Sequence, residues 1–148
     1  MATHPTPEHH ERVAALTFAE IYPHYIIKIK KKDRSEAELL EVIHWLTGYT
    51  QADLDRHIAA KSTFQTFFDE ANLPANAHLI TGTICGYKIQ DLDNELTRAV
   101  RYLDKLVYEL AKGVPWRKSF AVHKLNFYTF LGLLRRWPQF VWTIPSSC

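Results

Sequence analysis

Cysteine and glycine are scarce in this sequence, whose 148 residues include two cysteines and five glycines. Cys85 and Cys148 form at most one pair, which excludes a disulfide framework and favours a reducing, cytoplasmic compartment. The few glycines make no phosphate-cradling loop, and no nucleophile-elbow pattern is present. The sequence therefore carries no common nucleotide-binding or hydrolase signature, and we expect no cofactor.

Long apolar runs are also missing. The longest apolar stretch, from Leu125 to Leu134, is interrupted by Asn126 and Thr129 and is too short to span a bilayer. The first twelve residues contain no apolar segment of the signal-peptide type. We therefore predict no transmembrane segment. The hydrophobic fraction of 47% and the charged fraction of 23% are those of an ordinary globular domain.

Acidic residues are missing from the C-terminal part of the chain. Residues 113–148 hold five basic residues, no acidic ones and three of the four tryptophans. The net charge of +2 therefore divides into +5 for this segment and −3 for residues 1–112. We expect the extension, residues 114–148, to pack on the domain, to bind a partner or to rest on an anionic membrane surface. Its candidate interface residues are Trp116, Phe127, Phe130, Leu134 and Trp137.

Signals for helix starts are frequent between residues 17 and 65. In each, a serine or threonine precedes an acidic or amide residue by three positions, as in a capping box. The pairs are Thr17 and Glu20, Ser35 and Glu38, Thr50 and Asp53, and Ser62 and Gln65. Pro23 is expected to kink or restart the first of these helices. Apolar residues at helical spacing predict a long final helix, from Asp93 to near Gly113.

These signals predict an all-α fold, a compact bundle of about six or seven short helices. The helical domain is expected over residues 13–113, behind a flexible N-terminal arm of residues 1–12. Residues 76–90 fit either a helix or a strand. For them we expect a short helix that ends at Gly86, followed by an extended segment at residues 87–90.

Five strings together resemble a known family. They are AEIYPHY (19–25), VIHWLTGYT (42–50), TFQTFFDEA (63–71), ITGTICGYKIQDLD (80–93) and RYLDKLVYELAKG (101–113). The family consists of small, mostly bacterial, uncharacterised proteins and is known as domain of unknown function twenty-two hundred. The resemblance covers residues 12–113 and implies a compact, mainly helical domain with no assigned activity and no assigned site residue. The chain departs from the family pattern at KKDRS (31–35), where KKGRT is usual, and in its long extension.

One candidate pocket combines titratable and aromatic side chains: His24, Tyr25, Trp45 and Cys85. Histidine supplies an acid or base near neutral pH, and a cysteine near a helix end is a potential nucleophile. Single histidines among aromatic residues are more often simply packed. Cys85 lies between Ile84 and Gly86, and we expect it to be buried and inert.

A candidate anion-binding segment contains the cations Lys28, Lys30, Lys31, Lys32 and Arg34. Clustered cations bind phosphates with salt-sensitive affinity. The acidic residues that follow the cluster, and a pI of about 8.5, argue against nucleic acid as the partner.

Metal binding is not predicted, because the eight histidines show no paired spacing of the zinc type. One weak alternative involves His4. If Met1 is removed, His4 becomes the third residue, which is the spacing for Cu(II) or Ni(II) binding through the terminal amine and the imidazole. Such a terminus arises easily by chance.

The absence of a reactive constellation favours a non-enzymatic interaction or assembly module. Its partner would be a second copy of the chain, in a homodimer, or an unidentified protein. The first alternative is an enzyme or small-molecule binder that uses the pocket near His24, Trp45 and Cys85. The second alternative is a binder of anionic surfaces, nucleic acid or membrane, through residues 28–34 or the C-terminal extension.

Overall fold

The protein is described here by a computed structural model that covers residues 4–114. Its six α-helices are α1 (Pro7–Ala15), α2 (Phe18–Lys30), α3 (Glu36–Thr47), α4 (Gln51–Ala59), α5 (Phe64–Asp69) and α6 (Glu95–Lys112). Between α5 and α6 lie a hairpin of two short strands, β1 (Thr83–Ile84) and β2 (Tyr87–Lys88), and two 3₁₀ turns, Ala77–Leu79 and Ile89–Asp91. The prediction of a nearly all-α bundle is confirmed.

The last helix, α6, is the centre of the bundle. It packs against α1, α2, α3 and α5 and against the hairpin. Leu103, Leu106 and Val107 on its apolar stripe are fully buried. The helix ends at Gly113, whose φ of +77° is the left-handed conformation that glycine adopts without strain. The predicted long helix is therefore confirmed, with its start at Glu95 rather than Asp93.

Three of the four predicted helix starts are capping boxes. Thr17, Ser35 and Thr50 each accept a hydrogen bond from the third residue of their helix, whose side chain accepts one in return. The fourth start lies one residue later than predicted, at Thr63. Ser62 does not cap α5 because its hydroxyl is hydrogen-bonded to the ring of His57 at 2.9 Å.

The loop before α2 is tied to the loop before α5. Thr17 and Thr63 form an antiparallel bridge. The amide of Phe18 donates to the carbonyl of Ser62 at 3.0 Å, and the amide of Phe64 donates to the carbonyl of Leu16 at 2.7 Å. Two helices far apart in sequence therefore begin side by side.

The expectation of a flexible arm is wrong for residues 7–12, which belong to α1. Thr6 caps this helix, and Pro7 occupies the first turn, where a missing N–H costs nothing. Val13 is buried, and His10 is hydrogen-bonded to Thr97 of α6 at 2.6 Å. The sequence did not predict this helix because few of its residues are apolar.

Pro23 does not restart α2, which continues through it to Lys30. A proline inside a helix removes one backbone hydrogen bond and costs about 3 kcal/mol. Phe18 before the proline and Ile29 after it are both fully buried. Burial on both sides of Pro23 offsets this cost, because each large apolar side chain contributes about 1.5–3 kcal/mol.

Residues 76–90 form no helix that ends at Gly86, so this expectation is wrong. Thr83 pairs with Lys88 and Ile84 with Tyr87 in an antiparallel hairpin. The connecting residues, Cys85 and Gly86, have φ angles of +53° and +83°. A two-residue turn with both φ values positive matches the right-handed twist of paired strands and cannot continue a helix.

None of the helices within residues 4–114 is long and apolar enough to cross a membrane. The predicted interface residues of the extension, Trp116, Phe127, Phe130, Leu134 and Trp137, lie outside the described residues.

Candidate functional site

The four residues of the candidate pocket do not surround one cavity. His24 is exposed on α2, while its neighbour Tyr25 is buried against α6. These two side chains line different cavities, and Trp45 and Cys85 line neither of them. Cys85 is exposed in the turn of the hairpin, so the expectation of a buried, inert thiol is wrong.

A groove between α2 and α6, which we call the basic groove, has a volume of about 330 Å³. It is lined by His24, Ile27 and Lys28 of α2, by Lys31 and Lys32 of the turn that follows α2, and by Tyr108, Ala111 and Lys112 of α6. The α2 residues recur at intervals of three and four, so they occupy one face of that helix. That face combines an apolar strip with a row of cations.

The ring of Tyr108 lies near three ammonium groups. The ammonium groups of Lys28, Lys105 and Lys112 lie 5.5, 5.6 and 4.8 Å from the centre of its ring. A side-chain hydrogen bond with Tyr108 raises the pKa of Lys112. Lys105 is paired with Glu109 at 2.9 Å, so its charge is locally compensated.

The candidate anion-binding segment is only partly represented in the basic groove. Lys28, Lys31 and Lys32 line it, but Lys30 does not, although it is exposed on the same helix. Arg34 is paired with Glu38 at 3.3 Å. Lys112, 80 positions beyond Lys32 in the sequence, supplies the fourth lysine.

A second cavity, which we call the α1 cavity, has a volume of about 400 Å³. Its wall is half polar and half apolar. The polar residues are His9, Arg12, Tyr25, Arg101 and Asp104, and the apolar ones are Val13, Leu16, Ile21, Phe64 and Val100.

Four polar residues of the α1 cavity form one hydrogen-bonded chain. The hydroxyl of Tyr25 donates to Oδ1 of Asp104 at 2.7 Å. Nη1 of Arg101 donates to Oδ2 of Asp104 at 2.8 Å, and Nη2 of Arg101 lies 3.2 Å from Nε2 of His9. The guanidinium also lies over the ring of Tyr87. Three separate helices thus hold this polar group in place.

The protonation states of this chain follow from burial and charge. Burial and the carboxylate of Asp104 raise the pKa of Tyr25 well above its usual value, so the phenol stays neutral. Burial and the charge of Arg101 lower the pKa of His9. Because Arg101 only donates, Nε2 of His9 accepts, which places the imidazole proton of neutral His9 on Nδ1.

The α1 cavity was missed at the level of the sequence, because its polar residues are widely separated along the chain. Tyr25 and Asp104 are 79 positions apart, and His9 and Arg101 are 92 apart. The one local signal was the spacing of three between Arg101 and Asp104, which ordinary helix-surface pairs also show.

No group of three or more His, Cys, Asp or Glu side chains within residues 4–114 is arranged to hold a metal ion. His4 is exposed, but the residues before it, which would complete a copper or nickel site, lie outside the described part of the chain.

Comparison with known proteins gives relatives without an assigned role. A crystal structure of the uncharacterized protein SP1917 is similar to this chain, with 31% sequence identity and a TM-score of 0.69. The similarity covers 77% of this chain and 94% of that one. No curated protein matches the chain. The profile of a family described as uncharacterized protein conserved in bacteria, DUF2200, matches residues 12–120, as the resemblance predicted. The chain therefore belongs to the DUF2200 family of uncharacterized bacterial proteins.

Proposed function

We propose that this domain is a non-enzymatic, cytoplasmic binding module that takes up an acidic, partly apolar segment of a partner protein in the basic groove. The observation that carries the proposal is the placement of four lysines around an exposed apolar strip. Cysteine usage supports the compartment.

The charge of the groove selects an anionic partner. Lys28, Lys31, Lys32 and Lys112 line it, and no acidic side chain is among the described residues of its wall. Uncompensated charges of one sign in a concave surface raise the local concentration of ligands of the opposite sign. The chain's own extension is a poor occupant, because residues 113–148 carry five basic residues and no acidic ones.

The apolar part of the groove favours a protein segment over a bare polyanion. Ile27 is 52% exposed, and Ala111 and Tyr108 lie on the opposite wall. A polyanion without apolar groups gains nothing from covering Ile27, whereas a leucine or phenylalanine side chain does. An amphipathic helix with acidic residues beside its apolar stripe satisfies both features of the groove.

The cations around the Tyr108 ring argue against single-stranded nucleic acid as the ligand of the groove. Such ligands gain affinity by stacking bases on free aromatic faces. Three ammonium groups already lie within 6 Å of the Tyr108 ring. A stacked base would have to displace them and lose their cation–π attraction.

The experiment uses the full-length chain and a synthetic helical peptide that carries a leucine stripe flanked by glutamates. Binding is measured by fluorescence anisotropy at about 50 and about 200 mM salt. We expect saturable binding that weakens with salt, and weaker binding by a glutamate–serine peptide without leucines. Lys31→Glu is expected to weaken binding about fivefold or more, since it removes one attraction and adds a repulsion.

The matched control is Lys30→Glu, which changes the same charge at the same end of α2 but outside the groove wall. It should leave the affinity within about twofold of the wild-type value. Equal losses of peptide affinity in the two variants would mean that net charge alone explains the effect, and this would overturn the proposal. Tighter binding of an RNA oligonucleotide or of anionic lipid vesicles than of the peptide would overturn it as well.

A further inference from the structure

The α1 cavity has a polar end and an apolar end, both set by the course of α1. His9, near the start of the helix, joins the chain of Arg101, Asp104 and Tyr25. Leu16, at the end of the helix, lies beside Phe64, whose amide donates to its carbonyl. Leu16 lies seven positions after His9, which corresponds to roughly 10 Å along a helix axis.

The charges at the polar end leave one cation uncompensated. Arg101 and Asp104 neutralise each other through a hydrogen bond of 2.8 Å. His9 is neutral, because burial and Arg101 lower its pKa. Arg12 lies one turn after His9 on the same face of α1 and has no salt bridge among residues 4–114. A ligand with a single negative charge would therefore balance this end of the cavity.

The hydrogen-bonded chain of the α1 cavity leaves one donor unpaired. The Nε atom of Arg101 is shielded from solvent and has no hydrogen-bond partner among the described residues. Burying a charged group with one donor unpaired is costly. An anion beside this guanidinium stabilises it electrostatically, even without contact to Nε itself.

We infer that the α1 cavity binds a small monoanionic amphiphile, in which a carboxylate lies between Arg12 and Arg101 and an apolar chain extends toward Leu16 and Phe64. The volume of about 400 Å³ lies within the range of small-molecule sites. The roughly 10 Å between the two ends matches an extended chain of about eight carbons. This site is separate from the basic groove and does not depend on the function proposed for that groove.

The test is isothermal titration calorimetry of the full-length chain with octanoate, below its micellar concentration. We expect one saturable site per chain. Octanol, which lacks the charge, octylamine, which reverses it, and butyrate, which lacks the chain length, should each bind at least about fivefold more weakly.

The diagnostic variant is Arg12→Gln, because Arg12 is exposed and its side chain makes no hydrogen bond or salt bridge within residues 4–114 that the variant would lose. It should weaken octanoate binding about fivefold or more and leave octanol unaffected. Arg56→Gln removes the same charge on α4, outside the cavity wall, and should bind like wild type.

The inference would be overturned if octanoate showed no saturable binding, if octanol bound with equal affinity, or if Arg12→Gln and Arg56→Gln had equal effects. The groove variant Lys31→Glu separates the two sites. If it weakens octanoate binding as much as Arg12→Gln does, the ligand lies in the basic groove and the assignment to the α1 cavity fails.

Discussion

Acidification is expected to destabilise this domain through His57. The imidazole of His57 is fully buried against the rings of Tyr49 and Phe67, whose centres lie 4.8 and 5.2 Å from its own. Its Nδ1 is hydrogen-bonded to Ser62 at 2.9 Å. Burial, followed by the charge of Arg56, lowers the pKa of His57 below the usual range of a histidine, although Glu70 opposes this in part.

The sign of the effect follows from proton linkage. Below about pH 6.5 the unfolded chain protonates His57 while the folded domain keeps it neutral. The unfolded state therefore binds more protons, and the free energy of unfolding falls as the pH falls. The loss begins near pH 6.5, continues down to the lowered pKa of the folded state and amounts to at most about 1.4 kcal/mol per pH unit.

The free energy of unfolding is measured by urea denaturation, followed by circular dichroism, between about pH 7.5 and about pH 5. This range lies above the pH at which most carboxylates titrate. His57→Gln should flatten the profile, whatever it does to the stability at pH 7.5. His9→Gln should flatten it as well, because burial and Arg101 also lower the pKa of His9. His24→Gln, a change at an exposed histidine, is the control and should leave the slope unchanged. A wild-type profile that is flat, or one that keeps its slope in His57→Gln, would refute the reasoning.

Three further substitutions test the fold by urea denaturation. Cys85→Asn should stabilise the domain by about 0.5–1 kcal/mol, because Asn-Gly is the preferred pair where both turn residues have positive φ. A loss of stability would contradict the hairpin geometry. Thr63→Ala should cost about 1 kcal/mol by removing the cap of α5, whereas an unchanged stability would mean that another residue caps it. Phe67→Ala should cost about 3–5 kcal/mol of unfolding free energy, since Phe67 is fully buried and stacks on Phe18 at 4.3 Å. A cost below about 1 kcal/mol would show that the packing of Phe67 contributes little to stability.

Local chemistry predicted the helix starts well, because a capping box is formed by residues three positions apart. Thr17, Ser35 and Thr50 needed no tertiary information. The fourth start was misplaced because Ser62 and Thr63 are equally good caps, and a buried histidine five residues before Ser62 decides between them. Such a choice depends on packing that a sequence window does not contain.

The missed features were those for which local preference and tertiary context disagree. Helical spacing of Ile80 and Ile84 competed with two positive φ angles at the turn, and Cys85 gave no hint of a left-handed conformation. The polar chain of the α1 cavity was beyond prediction for another reason. It needs α1, α2 and α6 in their final positions before Tyr25 reaches Asp104 or Arg101 reaches His9.

The bridge between Thr17 and Thr63 couples the exchange of two distant amides with solvent. The amides of Phe18 and Phe64 donate across the same bridge, so neither amide is released unless both helix starts separate. Native-state hydrogen exchange should then give the two amides a common opening free energy, as members of one cooperative unit. Because α1 ends at this bridge, a ligand held by Arg12 in the α1 cavity would slow the exchange of Phe64, at the start of α5.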